Sequence, residues 1–230
     1  MMKTIGLIGG MSWESSAQYY AIINRAVRER LGGSHSARIL MHSLDFGEIE
    51  KLQHDGDWSS LTVQMVDVAK RVQAGGADCV LICSNTMHLM ADAMAAKIDI
   101  PLVHVVDPTS AAIVEAGLKR VGLLGTAFTM ERPFYRDRLT TAGLEVLIPS
   151  DADRGEVHRV IYEELVAGKF EPASRQIYRE VIARLVERGA QAIVLGCTEI
   201  MLLVDQSDSA VPLFDTTTLH AMAAVDLALA

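Results

Sequence analysis

Three landmarks occur twice along the chain, in the same order and at nearly constant separation. "KTIGLIGG" (3–10) resembles "KRVGLLGT" (119–126), "ADCVLICSNT" (77–86) resembles "AQAIVLGCTE" (190–199), and "IPLVHVVD" (100–107) resembles "VPLFDTT" (211–217). The offset is 116 between the first glycines (122 − 6), 114 between the cysteines (197 − 83) and 111 between the prolines (212 − 101). Any two apolar strands match easily. An ordered set of three points to two copies of one unit.

The landmarks contain apolar runs, among them 78–83 and 190–197, and two others join them at 37–44 and 144–149. All are rich in Val, Ile and Leu and continuous rather than alternating, which suits strands buried on both faces. Between them lie amphipathic stretches. "SWESSAQYYAIINRAVRERLGG" begins at Ser12, a candidate N-cap, and stops at Gly32; "SRQIYREVIARLVERGA" is another. Strand and helix in alternation imply an α/β fold with parallel sheets. The repeat makes it two pseudo-symmetric α/β domains, 1–106 and 107–215, with "DPTSAAIVEAGLKR" carrying the chain across. A C-terminal helix over about 216–230 is free to pack back onto the first domain. The polar stretch "EIEKLQHDGDW" (48–58) reads as a loop or ragged helix after a strand end, where a lid would sit.

Charge and cysteine content exclude several classes. The net charge is −8, a poor match for nucleic acid or an anionic membrane surface. No apolar stretch approaches a membrane span. "MMKTIGLIGGMSWESS" lacks a cleavage-site pattern, so the expected location is the cytoplasm. The three cysteines do not suggest a disulfide framework. Cys79 and Cys83, four residues apart on one strand, would be about 13 Å apart, too far to bridge. Neither zinc-ligand spacing nor a lysine-centred Schiff-base pocket is visible, so no metal and no cofactor is expected.

Cys83 and Cys197 each close a strand and each precede polar residues suited to starting a helix: Ser84, Asn85 and Thr86 in one half, Thr198 and Glu199 in the other. In open α/β sheets ligands bind at this end. A helix start there would cradle a carboxylate and lower the thiol pKa. A single strand-end cysteine is usually a small buried hydrophobe, which is the reading for Cys79. A symmetric pair suggests chemistry. Placed across one cleft, two sulfurs could invert a Cα centre, one removing the proton from one face and the other returning a proton to the opposite face. "GLIGGM" is not a dinucleotide fingerprint. It reads as a tight turn delivering Met11 and Ser12, and Thr126 stands where Gly10 stands in the first copy. His88 and His104 read as satisfied structural histidines, although His88 follows Cys83 closely enough to tune it.

"GLIGGMSWESS", "CSNTMH", "LLGT" and "GCTEI" together resemble the aspartate/glutamate racemase family, across nearly the whole chain. The resemblance implies an amino-acid racemase that works without pyridoxal phosphate or metal. It also implies an active site in the cleft between two pseudo-symmetric domains, and a homodimer. Cys83 and Cys197 would be its acid/base pair. Ser84, Asn85, Thr86 and Thr198 would bind the substrate carboxylate and amine, with Met11, Ser12, Gln53 and Thr126 around them. Asp45 and Glu199 would orient the ammonium or support a cysteine. In one respect the chain departs from the family. Some members hold a side-chain carboxylate with a lysine two residues before the glycine of the stretch matching "EELVAGK"; here that position is Val166, and Lys169 is displaced. Neutral amino acids therefore join aspartate and glutamate as candidate substrates. Two other readings remain: an isomerase or decarboxylase of small dicarboxylates in the same superfamily, and a two-lobed amino-acid binding protein without chemistry.

Overall fold

The computed structural model describes residues 1–230. They divide into two compact units, Met1–Val105 with His220–Ala230, and Val106–Leu219.

The first unit contains β1 (Ile5–Gly9), α1 (Trp13–Leu31), β2 (Ile39–Ser43), α2 (Phe46–Asp55), α3 (Trp58–Ala74), β3 (Cys79–Ile82), a 3-10 turn over Thr86–Met90, and α4 (Ala91–Ala95). Its sheet has the order β2-β1-β3, with both pairings parallel. The second unit contains α5 (Val106–Glu115), β4 (Arg120–Gly125), α6 (Ala127–Glu131), α7 (Pro133–Thr141), β5 (Glu145–Leu147), α8 (Asp151–Glu163), α9 (Pro172–Glu187), β6 (Ala192–Gly196), α10 (Ile200–Leu203) and β7 (Leu213–Asp215). Its sheet order is β5-β4-β6-β7, again all parallel. α11 (Thr216–Leu229) starts in the second unit, and its residues from His220 belong to the first. The first three strands of each unit are thus arranged alike, the structural counterpart of the sequence repeat. No helix is long and apolar enough to cross a membrane.

The continuous apolar strands have the expected cause. On one face of the first sheet, Ile8, Val80 and Ile82 pack with Met65, Val68 and Val72 of α3. On the other, Ile5, Leu7, Cys79, Leu81 and Cys83 pack with Tyr19, Ile23 and Val27 of α1 and with Ala221, Ala224 and Val225 of α11. Successive residues alternate between faces, and both faces are buried at β1 and β3, so every position of those two strands is apolar.

One expectation is corrected and one is resolved. The run 100–106 is not a strand: only Leu102 bridges to Val80, through Val80 N–H to the Pro101 carbonyl and Val103 N–H to the Val80 carbonyl, each at 2.9 Å. Of the two readings of the stretch 48–58, loop or ragged helix, the helix holds. It forms most of α2, with Asp45 as N-cap accepting from the Gly47 amide at 3.0 Å and Gly56 in the left-handed region as stop. Phe46, Ile49 and Leu52, spaced at helical intervals, pack against the α3 side of the core.

Candidate active site

Cys83 follows the last residue of β3 and is fully buried. Its backbone is held on both sides. The Cys83 amide donates to the Ile8 carbonyl at 2.8 Å, and the Ser15 hydroxyl donates to the Cys83 carbonyl at 3.0 Å. Ser15 stands in the first turn of α1, whose N-cap is Ser12; the Ser12 hydroxyl accepts from the Ser15 amide at 3.3 Å. Ser16 completes the turn, its hydroxyl accepting from the Gly10 amide at 2.8 Å and donating to the Ser12 carbonyl at 3.0 Å. Gly10 has φ +85, and a Cβ there would collide with the backbone of Leu44. Only glycine lets β1 turn this tightly into α1.

Ser84, Asn85 and Thr86 are all buried directly after the cysteine. Gln53 of α2, also buried, donates from Nε2 to Met87 Sδ at 3.2 Å. The first unit therefore gathers Ser12, Gln53 and residues 83–86 around the carboxyl end of β1 and β3. Met11 lies in the hydrophobic core rather than among polar groups. Asp45 is exposed, and the structure employs its carboxylate as the α2 cap.

Cys197 follows the last residue of β6 and is 9% exposed. Its thiol donates to Glu199 Oε2 at 2.9 Å, and the Thr198 hydroxyl donates to the same oxygen at 2.9 Å. Thr198 and Glu199 are both buried. On the neighbouring strand Gly125 pairs with Gly196, so Thr126 stands at the same sheet end as Cys197. Its hydroxyl caps α6, accepting from the Thr129 amide at 3.2 Å.

Thiol acidity reverses the expectation. Burial pushes the Cys83 thiol pKa well up. Cys197 is also pushed well up, first by burial, then by the Glu199 charge and the hydrogen bond to it. Amides of Thr198 and Glu199 oppose this without overcoming it. The elements expected to supply a helix-terminus field are short: a five-residue 3-10 turn after Cys83 and four residues of α10 after Cys197, neither with a capping side chain. Desolvation of the charged form outweighs so small a dipole.

Ser15, Ser16 and Asp215 were missed from sequence. The first two sit in "WESS", where serines at a helix start signal only capping. Asp215 ends β7, and its carboxylate accepts from the Thr217 amide at 2.9 Å and the Thr218 hydroxyl at 2.5 Å; burial pushes its pKa up. "FDTT" in "VPLFDTT" carried that signal.

A family model described as Asp/Glu/Hydantoin racemase matches residues 8–224. The chain is 50% identical to a provisionally assigned Asp/Glu racemase of known structure from Yersinia pestis, over 100% of both chains, with a TM-score of 0.92. It is 31% identical to an aspartate racemase homologue from Pyrococcus horikoshii OT3, again over 100% of both, with a TM-score of 0.85. Among curated proteins, the broad specificity amino-acid racemase RacX of Bacillus subtilis (strain 168) is 24% identical over 234 residues, covering 98% of each chain.

Proposed function

The chain belongs to the Asp/Glu/hydantoin racemase family, and on that premise we propose that it racemises a free amino acid through Cys83 and Cys197, without pyridoxal phosphate or metal. One observation carries the proposal: the two cysteines occupy equivalent places, each just past the third strand of its unit, in sheets whose first three strands have the same order.

In the reaction, one sulfur as thiolate takes the Cα proton. The C–H electron pair moves into the substrate carboxylate, giving an enediolate. The other sulfur, as thiol, returns a proton to the opposite face of Cα. Both pKa values are raised, so a thiolate must be generated when substrate arrives. The substrate ammonium supplies a positive charge that favours it. At Cys197 the thiol proton can pass along the 2.9 Å hydrogen bond to the Glu199 carboxylate. Ser84, Asn85, Thr86 and Thr198 are the proposed partners of the substrate carboxylate and ammonium, with Ser12, Gln53 and Thr126 beside them.

Val166 is half-buried in a 3-10 turn (Leu165–Ala167), and Lys169 is exposed. This stretch supplies no buried cation for a side-chain carboxylate, which supports substrates beyond aspartate and glutamate.

The test is incubation of the protein with single L-amino acids in deuterated water, followed by chiral separation. Deuterium at Cα with inversion is expected for at least one of them. Cys83→Ser and Cys197→Ser should each lower inversion by about a hundredfold or more, the usual contribution of a positioned acid or base. Racemisation at the wild-type rate by either variant, or activity lost to a chelator and restored by metal, would overturn the proposal.

A further inference from the structure

Three histidines are buried together in the first unit, outside the residues assigned above. The rings of His88 and His104 are 4.6 Å apart, and those of His88 and His220 are 5.5 Å apart. Two of them bond the backbone in a way that determines their protonation. His88 Nδ1 lies 2.7 Å from the Ser84 carbonyl oxygen, and the Val105 amide donates to His88 Nε2 at 3.1 Å. A carbonyl can only accept and an amide N–H can only donate, so Nδ1 carries the proton and Nε2 is bare. His88 is therefore neutral, in one tautomer. His220 makes a parallel attachment: its Nε2 donates to the Val103 carbonyl at 2.7 Å, and its Nδ1 is 2.8 Å from the Tyr19 hydroxyl.

These bonds explain why the run 100–106 fails as a strand. Val103 C=O and Val105 N–H are groups that a continued strand would offer to its neighbour. Here imidazoles take them, and the chain leaves the sheet after Leu102. His88 has a second consequence at its other nitrogen. The groups around Cys83 are held in succession: its amide by Ile8, its carbonyl by Ser15 and the next carbonyl by His88.

Resting on the racemase reading, we propose that His88 is a positioning residue for Cys83, its Nδ1–H fixing the Ser84 carbonyl and with it the direction of the thiol. An imidazole suits the place because it presents a donor and an acceptor on opposite sides of one rigid ring. An asparagine can reproduce the Nδ1 donor and a glutamine the Nε2 acceptor, but neither does both. Reaction geometry is sensitive enough for this to matter: misplacing a reacting group by about 1 Å can cost about a hundredfold in rate.

The experiment compares His88→Asn, which keeps a donor for Ser84, with His88→Gln, which keeps an acceptor for Val105. Three readouts are taken: kcat and KM, the alkylation rate of Cys83 relative to Cys197, and the imidazole nitrogen NMR spectrum of the wild type. The wild-type spectrum should show His88 protonated at Nδ1 and bare at Nε2. His88→Gln should lower kcat about tenfold to a hundredfold with KM little changed, and should alter Cys83 alkylation but not that of Cys197. His88→Asn should stay within about threefold of wild type on all counts, on the same scale. A purely structural bond would move both variants alike. Equal effects of the two, no effect of either, or a wild-type His88 protonated at Nε2 overturns the proposal. Should His88→Gln not fold, altered Cys83 alkylation in His88→Asn overturns it and wild-type alkylation supports it; should neither fold, the tautomer decides. Alkylation is read without substrate. A wild-type protein that inverts no amino acid would therefore sink the racemase reading and leave the Cys83 comparison to be judged separately.

Discussion

Replacing Glu199 by glutamine should make Cys197 a more reactive thiol and a poorer catalyst. Glu199 Oε2 accepts from both Cys197 Sγ and Thr198 Oγ1, at 2.9 Å each, in a place where the glutamate is only 2% exposed. The carboxylate holds the proton on sulfur in two ways: its charge repels a thiolate, and its hydrogen bond exists only with the thiol. Glutamine has nearly the same shape but no charge, and its amide can donate to a thiolate. A hydrogen bond to a charged group contributes about 1.5–3 kcal/mol, and each 1.4 kcal/mol is about tenfold in an equilibrium. At fixed pH below the thiol pKa, the thiolate fraction of Cys197 should therefore rise about tenfold to a hundredfold. The assay is alkylation with a small reagent across pH, quantified by peptide mass spectrometry, with Cys83 as internal reference. The alkylation profile of Cys197 should move to lower pH while that of Cys83 stays. Racemisation should fall, because glutamine cannot take the thiol proton and a stabilised thiolate is a weaker base. The fall in kcat/KM should be the same for both enantiomers, since they have equal free energies. Alkylation of Cys197 that is unchanged or slower in Glu199→Gln would refute this account of the site.

Stability should decline in alkali. Burial pushes the Cys79 thiol up to about 11, so its folded pKa is raised. The matching stability is fully present below the unfolded thiol value near 8.5 and is lost as pH rises towards about 11, a change on the order of 3 kcal/mol. Urea unfolding over that window should show a shallower decline for Cys79→Ala, and an identical slope would count against the burial argument. Gly10→Ala should destabilise by at least about 1–2 kcal/mol from its positive φ alone, with more from the collision with Leu44, and should lower activity by displacing the Ser12 cap. A wild-type melting temperature for that variant would show that the turn can relax. In deuterated water, Cys83→Ser and Cys197→Ser should each label one enantiomer slowly without inverting it, and the two variants should label opposite enantiomers. A shared preference would mean that the two sulfurs do not serve opposite faces of Cα.

The parts of this architecture legible in sequence are those governed by local periodicity. Ile5–Gly9 and, after Arg120, the rest of β4 to Gly125 are apolar and buried at every position because their sheets are covered on both faces, and that pattern survives without knowing what covers them. Ser12 and Gly32 bound α1 through interactions within a turn of their own positions. The placement of Cys83 and Cys197 at strand ends followed from the switch from apolar to polar residues. For α2 the sequence left loop and ragged helix both open, because its signals, Asp45 and then Phe46, Ile49 and Leu52 at helical spacing, are obscured by surrounding charge.

What remained hidden depends on residues far apart in the chain. Pro101, Leu102 and Val103 look like the counterpart of β7, yet His220, more than a hundred positions away, takes the Val103 carbonyl, and His88 takes the Val105 amide. The acidity of the cysteines was misjudged for the same reason. A thiol after a strand and before a helix turn reads as activated, because the dipole is local. Its actual state follows from the surroundings that Tyr19, Leu81 and α11 place about Cys83, and from the direction in which Glu199 turns its carboxylate towards Cys197. Periodicity is written residue by residue, whereas desolvation and the choice of hydrogen-bond partner are sums over everything that packing brings near, and these exist only in the folded chain.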